Sequence, residues 1–308
     1  MSSPKTPIRN RNWKEYNNAL VSRAELFFDP KVLENWDKKL RKMNKRKNGR
    51  RFEYPDDFIK TIALLGTYFG FTYRKIEELM KVFKMFMPSL KKPDHSTVHR
   101  RILKMDLNLG DSIRHRKGLI VSIDSSGLKV HNRGEWIRHK HKVRRGYLKI
   151  HFAVNTKTRE ILELESTKEE IGDNRRFRPI VRKILKNYRL KKVLADAAYD
   201  DHRNFNLLDS KKIIPAIKTK RNSREFKWWK TYDRKHRVRR KYAAMLMTDY
   251  EKWKRKVGYG KRWISEVVFS SFKANFGECF SSKKMENIEK EILRRAYVHN
   301  IMMNNMKN

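Results

Sequence analysis

The chain has 308 residues, 76 of them Lys or Arg against 34 Asp or Glu, for a formal charge of +42. Its single cysteine, Cys279, excludes a disulfide framework and a multi-cysteine zinc site and suits a reducing cytoplasm. No run approaches the roughly 18 apolar residues of a membrane span. The opening Met1-Ser2-Ser3-Pro4 has no signal-peptide apolar stretch, so the expectation is a cytoplasmic protein without a membrane partner.

So basic a chain repels itself, and a polyanion is the first expected partner, as it is for ribosomal or histone-like proteins. From Lys38 to Arg51 nine of fourteen residues are basic and none is acidic. Such a block is a solvated arm or a phosphate-binding segment, and residues 1–57 read as a basic N-terminal arm and helix. Phe58-Ile59-Lys60-Thr61-Ile62-Ala63-Leu64-Leu65 has the pattern of a buried helix. Gly66 and Gly70 punctuate it, and Thr72 can cap a second helix carrying Ile76, Leu79, Met80 and Phe83. Pro88 and Pro93 break the chain before Asp94 or Ser96 caps a third helix through Val98, Ile102 and Met105. Three short helices over 58–110 are the minimum for a helix-turn-helix unit. Ser96, Thr97, His99, Arg100 and Arg101 would then begin its third helix, where base edges are usually read.

The remainder, 117–308, changes character. Leu119-Ile120-Val121-Ser122-Ile123 suits a central strand. Residues 147–154 and 160–165 alternate with period two around the turn Asn155-Thr156-Lys157-Thr158, a hairpin candidate. A helix with Phe177, Ile180, Val181, Ile184 and Leu185 follows, then a strand over 192–196, a short helix from Phe205 to Leu208 and a strand over 213–217. The order βββαβαβ, closing with long helices, predicts a mixed α/β sheet whose first three strands are antiparallel.

Two acids stand out against that frame. Asp124 and Asp196 end the first and fourth strands, and ligands of α/β sheets bind at such carboxyl ends; a lone strand-end Asp is ordinarily a cap or turn residue. The third acid, Glu266, sits in Tyr259-Gly260-Lys261-Arg262-Trp263-Ile264-Ser265-Glu266-Val267-Val268-Phe269-Ser270-Ser271-Phe272-Lys273. At roughly 100° per residue Arg262, Glu266 and Lys273 fall within about 40° on one helix face. Tyr259 extends the stripe unless the glycines place it before the helix, and Ile264, Val267, Val268 and Phe272 line the other face. The plainer reading is an exposed Arg262–Glu266 pair at i, i+4. Three unpartnered carboxylates would raise one another's pKa values, and two Mg²⁺ ions, which favour hard oxygen ligands, would relieve that repulsion. Paired metals on carboxylates with a basic surround form a nuclease-like site.

These residues resemble the insertion-sequence DDE transposases of bacteria and archaea, in the group marked by a Tyr-x2-Arg-x3-Glu-x6-Lys signature. Tyr259, Arg262, Glu266 and Lys273 fit that spacing, and Ile123-Asp124-Ser125-Ser126-Gly127 and Leu194-Ala195-Asp196-Ala197-Ala198-Tyr199-Asp200 are similar to the family's two aspartate regions. The segment from Pro93 to Arg101 is similar to its helix-turn-helix, and Asn12-Trp13-Lys14-Glu15-Tyr16-Asn17 to its N-terminal box. The resemblance implies an RNase H-like catalytic domain with Asp124, Asp196 and Glu266 as ligands of two Mg²⁺ ions, Mn²⁺ substituting. It implies Tyr259, Arg262 and Lys273 as DNA contacts beside the cleaved bond. The implied partners are double-stranded DNA, at element ends and target, and further copies of the chain in a homodimer or higher oligomer, in a nucleoid-associated protein. The implied reaction is hydrolysis at the element's ends, then attack of the freed 3′-hydroxyl on target DNA.

Asp124 and Asp196 are 72 residues apart, and Asp196 and Glu266 are 70 apart. Relatives with a large β-rich insertion before the Glu need more room, so the route of second-strand cleavage stays open. In the basic tract from Arg138 to Arg145, Lys140, Arg144 and Arg145 read as a phosphate grip, with His139 and His141 part of it rather than metal ligands. Trp228 and Trp229 read as ordinary packing or as a platform for a flipped base. Cys279 is expected to be packed and inert, and Phe269, Phe272 and Phe276 to be core. The alternatives are a catalytically inactive, transposase-derived DNA-binding protein and a structural nucleic-acid-binding protein. The latter needs the charge but not three carboxylates in these places.

Overall fold

A computed structural model of the chain describes residues 12–27, 30–130, 147–168, 171–220, 234–282 and 284–305. The chain forms two compact units, one of residues 1–105 with 301–308 and one of residues 106–300.

The first unit contains α1 (Trp13–Val21), α2 (Trp36–Asn44), α3 (Asp56–Tyr68), α4 (Tyr73–Phe86) and α5 (His95–Lys104). Its core joins Phe58, Ile59, Ile62 and Ala63 of α3 to Ile76 and Met80 of α4 and Val98 and Ile102 of α5. Gly66 sits where α4 crosses α3, and a Cβ there would collide with the Ile76 side chain. The Thr72 hydroxyl accepts the Lys75 N–H (3.3 Å) to start α4, and Asp94 accepts the Ser96 and Thr97 N–H groups (both 2.9 Å) to start α5. The basic block from Lys38 to Arg51 is not a free arm. Its first half lies in α2, beginning beside Trp36, which packs on the α3 core. The loop that follows is closed by Asn44, whose side chain accepts the Phe52 N–H (2.7 Å) and donates to the Phe52 carbonyl (2.9 Å).

The second unit is built on a sheet of β1 (Leu119–Val130), β2 (Tyr147–Asn155), β3 (Ile161–Lys168), β4 (Leu190–Ala195) and β5 (Ile214–Ile217). The spatial order is β3-β2-β1-β4-β5; β2 runs antiparallel to both of its neighbours, β1 and β3, and β4 and β5 run parallel to β1. The helices are α6 (Asn174–Asn187), α7 (His202–Ser210), α8 (Arg237–Thr248), α9 (Tyr250–Val257), α10 (Trp263–Phe276) and α11 (Met285–Asn305), which ends in the first unit.

One sheet face carries Val121, Ile123, Ala153 and Ala195 against Phe177, Ile180 and Val181 of α6 and Phe205 and Leu208 of α7. On the other face Phe152 stacks on Phe269 of α10 (centroids 4.5 Å apart), and Leu194 and Ala216 meet Trp253 and Val257 of α9. Fully burying such an aliphatic or aromatic side chain stabilises by about 1.5–3 kcal/mol, which fixes both layers on the sheet.

β1 runs well past the expected end at Ile123. Ser125, Ser126 and Gly127 are poor strand formers, but β2 pairs with them through Lys129, and the ladder overrides the local preference. The last residues of β1 also pair with β6 (Cys279–Phe280). There Cys279 is exposed, not packed, because strand alternation turns its neighbour Phe280 inward instead. Among the described residues no helix is long and apolar enough to cross a membrane.

Candidate active site

The parallel pairing of β1 and β4 puts Ile123 beside Ala195. Asp124 and Asp196 each take the next step along their strands, so register alone makes them neighbours. β4 ends there, which opens the sheet beside both carboxylates, whereas β1 continues and holds Asp124 rigidly. Asp196 caps the short turn Ala197–Tyr199, its Oδ1 accepting the Ala198 N–H (2.9 Å). The cap reading and the site reading of this aspartate therefore hold together, since one oxygen suffices for the cap.

Asp124 Oδ1 accepts the Ser125 N–H (2.9 Å), and Oδ2 accepts from Ser265 Oγ (3.1 Å) and Arg262 Nη1 (3.3 Å). Its side chain retains 16% exposure. Burial pushes its pKa up and the charge of Asp196 adds to that, opposed by the Ser125 N–H, Arg262 and Ser265.

Glu266 lies in the first turn of α10, 57% exposed, and is paired with Arg262 Nη2. Arg262 belongs to the turn Tyr259–Arg262 that leads into α10 rather than to the helix, as does Tyr259. Its guanidinium thus bridges Asp124 and Glu266, which exceeds the exposed i, i+4 pair of the plainer sequence reading. Tyr259 is 8% exposed and tilted against Trp253 (centroids 5.0 Å apart), and burial pushes its hydroxyl up to about 12. Lys273 is half-buried near the end of α10 and makes no side-chain ion pair or hydrogen bond among the described residues.

Among the described residues no three Asp, Glu, His or Cys side chains already surround one point. The donor chemistry nevertheless suits a divalent cation. Asp124 and Asp196 are adjacent hard-oxygen donors, the charge of Asp196 disfavouring that of Asp124, and Glu266 is held toward Asp124 by the guanidinium of Arg262.

Three contributors were not singled out from sequence. Ser122 and Ser265, both fully buried, face each other across β1 and α10 with oxygens 3.1 Å apart. A lone serine in the run Leu119–Ile123 is the available signal for the first; its partner is 143 residues away and has none. The third is Arg239 of α8, which grips the buried Asp200 with Nε and Nη2 (both 2.6 Å), while Asp200 also accepts the Lys220 N–H (2.9 Å). Asp200 is therefore an internal clamp that ties α8 to the chain just after Asp196.

In the first unit, the Ser96 and Thr97 hydroxyls donate to Asp94 (2.5 and 2.7 Å), and the exposed Arg100 reaches the Ser96 carbonyl and the Thr97 hydroxyl (3.3 and 3.4 Å). His99 lies against Tyr73 (centroids 4.9 Å apart). Arg101 turns inward, bonding Asp56 (2.5 Å) and the Tyr54 carbonyl (3.1 Å) over the Phe52 ring. The tract with Lys140, Arg144 and Arg145, and the pair Trp228 and Trp229, lie outside the described residues.

The family described as "Transposase DDE domain" matches residues 115–301, and a second family of the same description matches residues 21–133. The chain belongs to the transposase DDE domain family. A solved structure titled "Drosophila P element transposase strand transfer complex" is similar at 13% identity and a TM-score of 0.33. The match covers 66% of this chain and 48% of that one, so it spans about half of that chain's length, and a likeness so slight carries no assignment.

Proposed function

We propose that this chain is a DNA transposase whose catalytic unit is RNase H-like, with Asp124, Asp196 and Glu266 as its catalytic carboxylates. The observation that carries the reading is the side-by-side placement of Asp124 and Asp196 at the open end of β4, with Glu266 drawn toward them through Arg262. Asp124, Asp196 and Glu266 would hold two Mg²⁺ ions, or Mn²⁺ in their place. Bound there, such ions activate the attacking oxygen and stabilise the leaving one in phosphodiester displacement.

The chain's own residues do the rest. Ser125 and Ser265 keep the Asp124 carboxylate oriented, and the Asp196 cap leaves one oxygen free. Arg262 is placed to exchange a carboxylate for the scissile phosphate, where guanidinium gives a planar two-point grip. Lys273 of α10, without a side-chain partner among the described residues, adds a second cation for the DNA backbone. Tyr259, packed on Trp253 at the entry to α10, would meet the DNA with its exposed edge and brings no charge. In the first unit α5 acts as the recognition helix of a helix-turn-helix, with Ser96, Thr97, His99 and Arg100 offered to the terminal repeats. Water attacks the phosphorus at each element end and releases a 3′-hydroxyl; that hydroxyl then attacks a target phosphorus and displaces its 3′-oxygen. Two or more copies of the chain would hold the two ends together.

The test uses the full-length protein and a supercoiled plasmid carrying the genomic DNA that flanks its coding region. Asp124→Ala, Asp196→Ala and Glu266→Ala should each reduce Mg²⁺-dependent end cleavage to background while duplex binding stays near wild type, because affinity comes mainly from phosphate contacts. Robust nicking by any one variant removes that residue from the site.

A further inference from the structure

We propose that Ser265, released for this task by Ser122, is the positioning residue that fixes the Asp124 carboxylate and sets its register against Glu266. The inference rests on the catalytic reading of Asp124 and Glu266 given above.

Ser122 and Ser265 are both 0% exposed where β1 meets α10. A hydroxyl is costly there unless its hydrogen bonds are made. Ser265 Oγ has three oxygens within reach: Arg262 carbonyl at 2.8 Å, Asp124 Oδ2 at 3.1 Å and Ser122 Oγ at 3.1 Å. Ser122 Oγ reaches the same Arg262 carbonyl at 3.3 Å. Each hydroxyl carries one hydrogen, so two hydrogens serve two acceptors that cannot donate, the Arg262 carbonyl and the Asp124 carboxylate.

A bond to an ionised acceptor is about twice as strong as a neutral one. The favoured arrangement therefore gives the Ser265 hydrogen to Asp124 and the Ser122 hydrogen to the Arg262 carbonyl. Without Ser122, Ser265 would be drawn back to the carbonyl three residues before it, a common local bond for serine in helices. Ser122 thus acts only through Ser265.

Two consequences follow for the site. With the Ser125 N–H on Oδ1 and Ser265 on Oδ2, both carboxylate oxygens are pinned, and the plane of the group is set. Of the partners on Oδ2, Ser265 is short and enclosed, whereas Arg262 is long and 23% exposed. Arg262 is the exchangeable partner and Ser265 the fixed one. Ser265 also immediately precedes Glu266, so the same contact fixes the first turn of α10 along β1; a slip of one residue would rotate Glu266 by about 100°.

Partners that orient metal ligands typically cost 10–100-fold in metal affinity or activity when removed. The experiment is a Mn²⁺ titration of full-length protein bound to the flanking-DNA duplex, read by the electron paramagnetic resonance signal of free Mn²⁺, with melting temperature recorded alongside. Ser265→Ala and the nearly isosteric but weakly donating Ser265→Cys should both weaken Mn²⁺ binding by about 10–100-fold with duplex affinity unchanged. Ser122→Ala should weaken it less, and Ser122→Ala with Ser265→Ala should match Ser265→Ala alone, since removing Ser122 has no further effect once Ser265 is gone. Wild-type Mn²⁺ binding by folded Ser265→Cys overturns the proposal, as does full additivity in the double variant. If neither Ser265 variant folds, Ser122→Ala decides alone, wild-type Mn²⁺ affinity refuting its part. Wild-type Mn²⁺ binding and cleavage by Asp124→Ala would instead defeat the catalytic reading, and the two failures are thereby distinct.

Discussion

The two faces of the β1–β2 ribbon bury one titratable group each, and they treat it in opposite ways. On the α6 face, His151 is fully enclosed, and one ring nitrogen meets the Thr167 hydroxyl at 3.1 Å. On the α10 face, Asp124 keeps a margin of exposure and collects an N–H, a hydroxyl and a guanidinium. The enclosed group sheds its charge, since burial pushes the His151 pKa down to about 4. The open group keeps strong donors that favour its ionised form against burial and against Asp196. Full enclosure, which outweighs the nearby carboxylates, serves packing; a charge left at an open margin, with exchangeable partners, is available for chemistry.

Removing core from each face tests that division most strongly. Phe177 in α6 and Phe272 in α10 are both fully buried, and truncation of either to Ala should lower stability by about 3–5 kcal/mol in urea unfolding. Their effects on chemistry should part company. Folded Phe177→Ala should retain its single-turnover cleavage rate, whereas Phe272→Ala, by loosening α10 on Phe152, should slow it. Equal slowing in both would erase the distinction between the faces.

The His151 side sharpens the contrast through pH. Its native pKa of about 4 lies below the 6.5 of an unfolded histidine. Between those values the unfolded chain holds the proton and the native one does not. The native state therefore has its full margin above about pH 6.5 and loses on the order of 3 kcal/mol as pH falls toward 4. Asp173 and Glu165 beside the ring soften that loss, and Lys149 and Arg176 reinforce it. Urea midpoints at several pH values should show a steeper acid decline in wild type than in His151→Gln. Parallel declines would mean that His151 keeps its proton in the fold.

On the open face the decisive residue is Arg262. If it merely pairs with Glu266, its removal should leave catalysis near normal. If it takes the scissile phosphate, Arg262→Ala should slow single-turnover cleavage by at least about 10²-fold, as for other lost transition-state contacts. Lys273→Ala should do the same, and Arg262→Lys should restore only part of the rate, since ammonium lacks the planar grip. Overall DNA affinity should change little, because many other cations share the phosphate load.

Much of this arrangement was legible in the sequence for identifiable reasons. The nearness of Asp124 and Asp196 could be read because strands of one sheet bring their carboxyl ends together, whereas spacing alone left Glu266 between an exposed pair with Arg262 and a place in the site. The extension of β1 to Val130 was not legible, because Ser125-Ser126-Gly127 carries no strand preference and pairs only through β2. Ser265 carries no signal of its own beside Glu266, because its partner Ser122 lies on β1, 143 residues away. Cys279 misled because a two-residue strand decides its exposure, and no pattern that short can be read.

The contrast between enclosed and open charge recurs in α5 of the first unit, where two adjacent arginines diverge. Sequence gives no means to separate Arg100 from Arg101. In the fold, Arg101 is 11% exposed and paired with Asp56, whereas Arg100 lies open beside Ser96 and Thr97. If α5 reads DNA, Arg100→Ala should lose about 1–3 kcal/mol of preference for the flanking repeats over random duplex, measured at one salt concentration. Arg101→Ala should leave that ratio intact and act on folding instead, through a partly exposed pair and a ring contact worth on the order of 1 kcal/mol together. An Arg101 variant that loses sequence preference at unchanged melting temperature, with Arg100→Ala silent, would reverse the assignment and move base reading to the inner side of the helix.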